Sequence, residues 1–95
     1  MTAYWINTFT SISDEQKLQA YAALAGDVMR AHEGRFLARG NPTYAFEEAT
    51  LLRTTVIEFP TVEHARAAYE SDAYQEALRV LGDGATREIR VIDGV

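Results

Sequence analysis

The chain has 95 residues, of which 47% are apolar and 24% are charged, as expected for one small globular domain. Its formal net charge of −5 argues against a nucleic-acid backbone or an anionic membrane surface as the partner. It contains no cysteine, which excludes disulfides, iron–sulfur clusters, thiolate zinc sites and thiol nucleophiles. No apolar run is long enough to span a membrane and no signal peptide is recognisable, so we expect a cytoplasmic location.

The first part of the chain predicts a strand and a long helix. Residues 3–9 carry aromatic and β-branched groups on both alternating faces, which indicates a central strand that is covered on both sides. A helix is predicted at about residues 14–32, where apolar side chains recur at helical spacing. Ser13 and Gln16 fit a capping box at its start, and Gly34 lies where a left-handed cap would end it.

Two further strands are predicted at residues 35–39 and 51–59. The first carries polar groups that favour an edge position, and the run 40–42 breaks it. Residues 44–46 either continue this strand past a bulge or form a small hairpin arm. Residues 51–59 are again apolar on both faces, and Pro60 ends the strand because proline cannot donate to the ladder.

The last part of the chain predicts a helical segment and a final strand. Thr61 can cap the helix, and Ser71 with Asp72 marks an interruption and a fresh cap. The sequence leaves open whether this segment is one bent helix or two. Residues 86–92 alternate apolar and charged side chains, which favours an edge strand with one wet face.

This βαββαβ order predicts a ferredoxin-like α+β sandwich, with a four-stranded antiparallel sheet and two helices on one face, as a single domain over residues 1–95. The first and third strands would be central. The other face of the sheet would be bare, and the register decides which apolar side chains it exposes: either Trp5 and Phe9, or Tyr4 and Ile6. We therefore expect a homodimer through the sheet faces, burying about 800 Å² or more per partner.

Three runs of the chain resemble the family known as domain of unknown function 1330. They are GRFLARGN at 34–41, VIEFPTVEHARAAYESDAYQEAL at 56–78 and IDGV at 92–95, and the opening AYWIN is also typical of the family. The resemblance implies a dimeric α+β barrel, in which two four-stranded sheets close on one another. That superfamily also holds cofactor-independent monooxygenases, muconolactone isomerases and haem enzymes, whereas the family itself carries no established activity.

The chain departs from the family pattern at several positions. Asn41 stands where a second glycine is usual, Ala68 where an aromatic residue is frequent, and Leu81 where an arginine is common. The turn at 47–50 lacks its usual glycine and tryptophan. A family site that depends on that arginine or that turn is therefore not carried over to this chain.

Glu58 and His32 are the candidate catalytic residues. Glu58 is predicted in a central strand, where a carboxylate could act as an acid or base, or could pair with a neighbouring arginine. His32 lies at the end of the first helix, either as a general base at a cleft or as a surface residue. His32 and His64 form no tight ligand motif, so we predict neither a metal nor haem and expect no cofactor.

Six side chains are candidate ligand-binding residues: Trp5, Asn7, Arg39, Tyr44, Tyr69 and Tyr74. Arg39 could bind a carboxylate through its planar fork, or could form an ion pair between subunits. The resemblance adds that cofactor-free oxygenases of the superfamily hold a polyphenolic substrate with aromatic and amide side chains of this kind. The same aromatic residues could instead supply the core and the dimer interface.

The leading functional prediction is a homodimer that binds a small organic ligand. One alternative is a cofactor-independent monooxygenase or isomerase acting on an aromatic or lactone substrate, which a pocket lined by Asn7, Tyr74 and Glu58 would favour. Another alternative is a non-catalytic oligomerisation module. An RNA-recognition domain has the same element order, but the third strand lacks the glycine and paired aromatics that stack bases.

Overall fold

The computed structural model describes all 95 residues and has three helices packed on one face of a four-stranded sheet. In chain order the elements are β1 (Ala3–Ile12), α1 (Glu15–Ala31), β2 (Arg35–Gly40), β3 (Thr54–Phe59), α2 (Val62–Glu70), α3 (Asp72–Leu81) and β4 (Ala85–Asp93). The sheet is antiparallel with strand order β2-β3-β1-β4, so β1 and β3 are central. This is the predicted ferredoxin-like arrangement, and the fold prediction is confirmed. None of the helices is both long enough and apolar enough to cross a membrane.

The N-cap of α1 lies one residue later than predicted. The carboxylate of Asp14 accepts hydrogen bonds from the backbone N–H groups of Gln16 and Lys17, at 3.0 and 3.1 Å. The hydroxyl of Ser13 donates instead to the backbone carbonyl of Asp83, 3.1 Å away. The predicted capping box is therefore wrong, because a contact from the far end of the chain engages its serine.

The end of α1 also differs from the prediction. Glu33, and not Gly34, adopts the left-handed conformation, with φ of 65°. The N–H of Gly34 donates to the carbonyl of Met29 at 2.8 Å. A Cβ at Gly34 would lie 2.8 Å from that oxygen and 2.9 Å from the ring of Phe59. The glycine therefore serves the close approach of the helix end to the sheet rather than a left-handed turn.

The second helical segment is two helices, α2 and α3, which meet at the predicted interruption. The hydroxyl of Thr61 accepts from the backbone N–H of His64 at 3.2 Å and so caps α2. The hydroxyl of Ser71 accepts from the backbone N–H of Tyr74 at 3.1 Å and caps α3. Both caps are of the type that the sequence predicted.

The segment between β2 and β3, residues 41–53, forms no strand. Neither alternative predicted for residues 44–46 is present, and β3 begins at Thr54 rather than at residue 51. Pro42 has no N–H to contribute to a ladder. The N–H of Leu52 is satisfied locally by the hydroxyl of Thr50, 3.3 Å away. Local bonds of this kind compete with strand pairing, which explains the late start of β3.

The two faces of β1 have different surroundings. The structure shows which face lies against the helices, a choice that the sequence left open. Trp5, Asn7 and Phe9 face the helices and are at most 5% exposed. Tyr4 and Ile6 face the bare side of the sheet and remain partly exposed. The molecule is correspondingly thin, with extents of 32 × 31 × 15 Å, because a single helix layer covers a single sheet.

Candidate functional site

Four aligned side chains, one from each strand, cross the helix-facing side of the sheet. They are Arg39 in β2, Thr55 in β3, Asn7 in β1 and Ile89 in β4. Three of the four are polar or charged, which is unusual for a row that lies beneath a helix. The row therefore marks a polar part of the space between helices and sheet.

A β-bulge brings Arg39 into this row. The register between β2 and β3 shifts between Phe36 and Ala38, so that Leu37 is an extra residue. Since side chains alternate between faces, one extra residue reverses the side on which all later residues of the strand lie. Without the bulge, Arg39 would lie on the bare face of the sheet, away from Asn7.

Asn7 is the buried polar group of this row that lacks a partner. The residue is 5% exposed, and its side-chain Oδ1 forms no hydrogen bond. An unpaired buried acceptor costs about 1–3 kcal/mol relative to one that is satisfied. Asn7 is thus placed so that a bound donor would satisfy it.

Small residues of α1 leave a cavity next to this amide. Ala22, Ala25 and Gly26 line it from the helix, and Trp5 and Asn7 line it from the sheet. Its volume is about 40 Å³. We call it the Asn7 cavity. A space of this size accommodates water or a short apolar group, whereas typical small-molecule pockets occupy roughly 300–1,000 Å³.

The Asn7 cavity adjoins a surface depression of about 520 Å³ that is bordered by three arginines, Arg30, Arg39 and Arg53. We call these three side chains the arginine mouth. The guanidinium carbons of Arg39 and Arg30 lie 4.8 and 5.5 Å from the centroid of the Phe36 ring. Cation–π contacts of this kind hold the charged groups beside the cavity entrance.

Two arginines of this mouth have no carboxylate partner. Five of the eight arginines in the chain pair with an acidic side chain, and Arg87 bonds to tyrosine hydroxyls. Arg39 and Arg53 are the two that remain. The Arg30–Asp27 pair is long, at 3.5 Å, and both of its side chains are well exposed. The mouth is therefore a locally positive region on an acidic protein.

A second set of polar side chains lies at the other end of the core, and its hydroxyls are hydrogen-bonded to one another and to an arginine. The hydroxyls of Tyr21 and Tyr74 are 2.6 Å apart, and Arg87 donates to them at 2.5 and 3.0 Å respectively. We call this set the tyrosine–arginine cluster. Burial, with some help from nearby Tyr21, raises the pKa of Tyr74 well above its ordinary value, and Arg87 opposes this only in part. Tyr74 therefore stays protonated and is a hydrogen-bonding group, not a base.

A larger groove of about 640 Å³ runs between α2, α3 and β4. Trp5, Tyr69 and Leu78 contribute apolar surface to it. Its two arginines already have partners, since Arg66 pairs with Glu70 at 3.1 Å and Arg87 belongs to the tyrosine–arginine cluster. The groove thus offers apolar surface without an unpaired buried polar group.

The structure brings only some of the six candidate ligand-binding residues together. Trp5, Asn7 and Arg39 all line the Asn7 cavity. Tyr74 is fully buried in the tyrosine–arginine cluster, and Tyr69 packs on it with a 5.1 Å distance between ring centroids. Tyr44 lies in the segment 41–53, is 77% exposed and stacks on Phe46.

The two candidate catalytic residues lie apart from these groups and from each other. Glu58 faces the bare side of the sheet beside Tyr4, and its carboxylate pairs with Arg35 at 3.0 Å. His32 is the C-cap of α1, and its Nδ1 donates to the carbonyl of Val28 at 3.0 Å. No pocket is lined by Asn7, Tyr74 and Glu58 together, the arrangement that would have favoured the enzyme alternative.

Sequence reasoning did not single out Arg53, Arg87 or the hydroxyl of Tyr21. The sequence did contain a signal for Arg87. It lies two residues before Ile89, so its side chain is on the same face of β4 as a residue that packs against the core. Arg53 gives no such signal, since it precedes β3 and its place depends on the pairing of Phe9 N–H with its carbonyl, at 3.0 Å. Tyr21 fitted the apolar stripe of α1, and only the tertiary structure supplies the partner for its hydroxyl.

These features define a ferredoxin-like α+β domain with a small polar cavity beneath its first helix. The sequence pattern described as Domain of unknown function (DUF1330) matches residues 2–95, so the chain belongs to that family. No protein of curated function matches the chain significantly.

Solved structures with the same fold cover nearly the whole chain. A protein of unknown function from Rhodopseudomonas palustris superposes with a TM-score of 0.77 at 13% identity, over 99% of this chain and 82% of that one. A dimeric ferredoxin-like protein of unknown function from Jannaschia sp. CCS1 has a TM-score of 0.76 at 10% identity, over 99% and 100% of the two chains. SnoaB, a cofactor-independent oxygenase from Streptomyces nogalater, has a TM-score of 0.71 at 12% identity, over 99% and 93%. At these identities the likeness extends to the fold and not to a function.

Proposed function

We propose that the protein is a homodimer that binds a small organic ligand, with the ligand entering the Asn7 cavity from the arginine mouth. The observation that carries the proposal is the unpaired Oδ1 of Asn7, a residue only 5% exposed, beside a cavity. A folded chain tolerates such a group where another requirement outweighs its cost, and a ligand that donates to the Oδ1 would meet such a requirement.

The size of the two spaces sets the size of the ligand. A short group fits the Asn7 cavity, while the adjoining depression can hold the rest of the molecule against the arginine side chains. The groove beside β4 is larger, but Arg66 there pairs with Glu70 and Arg87 donates to two tyrosine hydroxyls. A ligand in the groove would gain apolar contact without relieving any unpaired buried group, so the groove is the weaker candidate.

The homodimer is proposed from the bare face of the sheet. Ile6 aligns with Val56 on that face, and Tyr4 lies in the next row, beside Ile92, which is 57% exposed. Covering such a face with a second copy removes apolar surface from water and doubles a core that is thin for a chain of this size. The dimeric state of ferredoxin-like proteins with the same fold supports this arrangement.

Native mass spectrometry and light scattering test the dimer. We expect a dimer for the natural chain and a monomer for Ile6→Glu, which places a carboxylate in the centre of the bare face. Leu24→Glu is the matched control, because Leu24 is 42% exposed on the helix side of the molecule. A natural chain that is monomeric at micromolar concentration contradicts the dimer.

Nuclear magnetic resonance with a fragment collection tests the ligand site. We expect the binding fragments to shift the side-chain amide signals of Asn7 and the backbone signals of Thr55. Asn7→Leu keeps the branched shape and the number of non-hydrogen atoms of the side chain and removes the amide, so it should weaken these fragments while the variant stays folded. Fragments that bind only along the groove between α2, α3 and β4 would show that the site lies elsewhere.

A further inference from the structure

We infer that the natural ligand is a small organic acid whose carboxylate is bound by Arg39 and Arg53. This inference rests on the proposed ligand site and goes further by naming the chemical class of the ligand. Its support is the arrangement of charged side chains at the entrance of the cavity. This observation is independent of the Asn7 amide.

The first argument is the distribution of charge. The chain has 14 acidic and 9 basic residues, and five of its eight arginines form an ion pair. Yet Arg39 and Arg53 both lack an ion pair, and both border the same depression and the same cavity. Two guanidinium groups that border the same space without a counter-charge repel one another, and an anion bound there would offset that repulsion.

The second argument is the chemistry of the guanidinium group. Its planar fork matches the two oxygens of a carboxylate, and the resulting pair is stronger than a neutral hydrogen bond. The ring of Phe36 lies against the guanidinium of Arg39, 4.8 Å from centroid to carbon, which restricts the side chain before any ligand arrives. A restricted side chain loses less conformational freedom on binding.

The third argument separates an organic acid from a simple inorganic anion. Behind the arginines the Asn7 cavity is lined mainly by apolar side chains, among them Trp5, Phe9 and Met29. Phosphate would meet the arginines but leave this apolar space unfilled. A carboxylate with a short apolar body satisfies both parts of the site, and a polar substituent near its far end could reach the Oδ1 of Asn7.

Pairs of acids and their neutral amides provide the test. The probes are propionate against propionamide and butyrate against butyramide, added to the isotope-labelled full chain, with inorganic phosphate as a third arm. We expect each acid to bind at least about tenfold more tightly than its amide, since a charge-assisted bond to arginine contributes more than a neutral one. The signals that move should be the Nε–H groups of Arg39 and Arg53, and added salt should weaken the acids only.

Two substitutions localise the effect. Arg39→Gln with Arg53→Gln should abolish the preference for acid over amide. Arg79→Gln is the matched control, because it removes the same charge from α3, where Arg79 pairs with Glu76 on the exposed surface. Acids that bind no better than their amides, a preference that survives the double substitution, or phosphate that binds as tightly as both acids would overturn the assignment.

The outcomes also separate this inference from the proposal on which it rests. If acids and amides bind alike and both move the side-chain signals of Asn7, the ligand site stands and the carboxylate assignment fails. If acids bind at Arg39 and Arg53 without affecting Asn7, the arginines bind anions and the cavity is not part of the site.

Discussion

Two sets of polar side chains lie within the same apolar core, and they differ in how completely their hydrogen bonds are satisfied. In the tyrosine–arginine cluster, Tyr21, Tyr74 and Arg87 satisfy one another through three hydrogen bonds of 2.5–3.0 Å. In the Asn7 cavity, the Oδ1 of Asn7 has no partner, and Arg39 at the entrance has no counter-ion. Both hydroxyls of the cluster have hydrogen-bond partners, whereas the Asn7 cavity keeps an unpaired acceptor that a bound donor would satisfy.

Under the proposed function, the tyrosine–arginine cluster stabilises the fold and the Asn7 cavity binds the ligand. A satisfied buried network rigidifies the packing around it and needs nothing further. An unsatisfied one lowers the free energy of unfolding, so its presence indicates a role other than stability. Substitutions in the cluster should therefore reduce stability, and substitutions around the cavity should change binding and leave stability equal or higher.

The largest effect is expected for Tyr74→Ala. Tyr74 is fully buried, and its ring packs on Trp5 and Tyr21 with centroid distances of 5.6 and 6.0 Å. Removing a buried aromatic ring should lower the free energy of unfolding by about 3–5 kcal/mol. Urea denaturation at one fixed protein concentration measures this. Tyr44→Ala is the control, since Tyr44 is 77% exposed, and a similar loss in both variants would contradict a special role for Tyr74.

A smaller loss is expected for Tyr74→Phe, which keeps the ring and removes only the hydroxyl. The hydroxyls of Tyr74 and Tyr21 lie 2.6 Å apart, and Arg87 donates to Tyr74 at 3.0 Å, so both partners lose a bond. We expect the free energy of unfolding to fall by about 1–3 kcal/mol, again by urea denaturation. An unchanged value would mean that the cluster does not contribute to stability.

The pH dependence of stability follows from the same hydroxyl. Burial raises the pKa of Tyr74 above its ordinary value of 10.0, so above that pH the unfolded chain releases a proton that the folded chain retains. The contribution is fully present below pH 10 and is lost as the pH rises further. The free energy of unfolding should thus fall more steeply for the natural chain than for Tyr74→Phe between pH 9 and about pH 11. Parallel pH profiles would show that Tyr74 ionises normally in the folded state.

The sequence predicted the sheet better than the ends of its elements. Apolar groups on both faces of β1 and β3 placed those strands at the centre of the sheet, and the observed strand order confirms this. The cap of α1 was misplaced because Ser13 and Asp14 are both good capping residues. The choice between them depends on Asp83, which is distant in the sequence and therefore invisible to local reasoning.

The candidate site was predicted only in part, again because contacts between residues distant in the sequence position some of its side chains. Asn7 stands out as an amide in an apolar strand, and Arg39 as a cation before a glycine. Their meeting depends on the bulge at Leu37, and the sequence alone does not reveal a register shift of one residue. Arg53 was missed because its position follows from its pairing with Phe9 rather than from any motif.

Asn7→Leu is the substitution that distinguishes the Asn7 cavity from the tyrosine–arginine cluster most directly. It replaces an unpaired buried amide with an apolar group that has the same branching and number of non-hydrogen atoms, so we expect the free energy of unfolding to rise by about 1–2 kcal/mol. The same variant should lose affinity for the propionate and butyrate probes. Stability is measured by urea denaturation and affinity by nuclear magnetic resonance titration. A clear loss of stability would assign Asn7 a structural role like that of the tyrosine–arginine cluster.

Gly26→Ala should produce the smallest change, with opposite signs for stability and binding. Gly26 lies in the middle of α1 with ordinary helical geometry, where alanine is favoured over glycine by about 0.5–1 kcal/mol. The added methyl group would lie 3.3 Å from the guanidinium of Arg30, a flexible side chain that can move aside, and it would narrow the entrance that Gly26 now keeps open. We therefore expect a more stable chain that binds the acid probes more weakly. Unchanged affinity would mean that the ligand does not enter the cavity beside Gly26. The comparison between the Asn7 cavity and the tyrosine–arginine cluster would then depend on Asn7 alone.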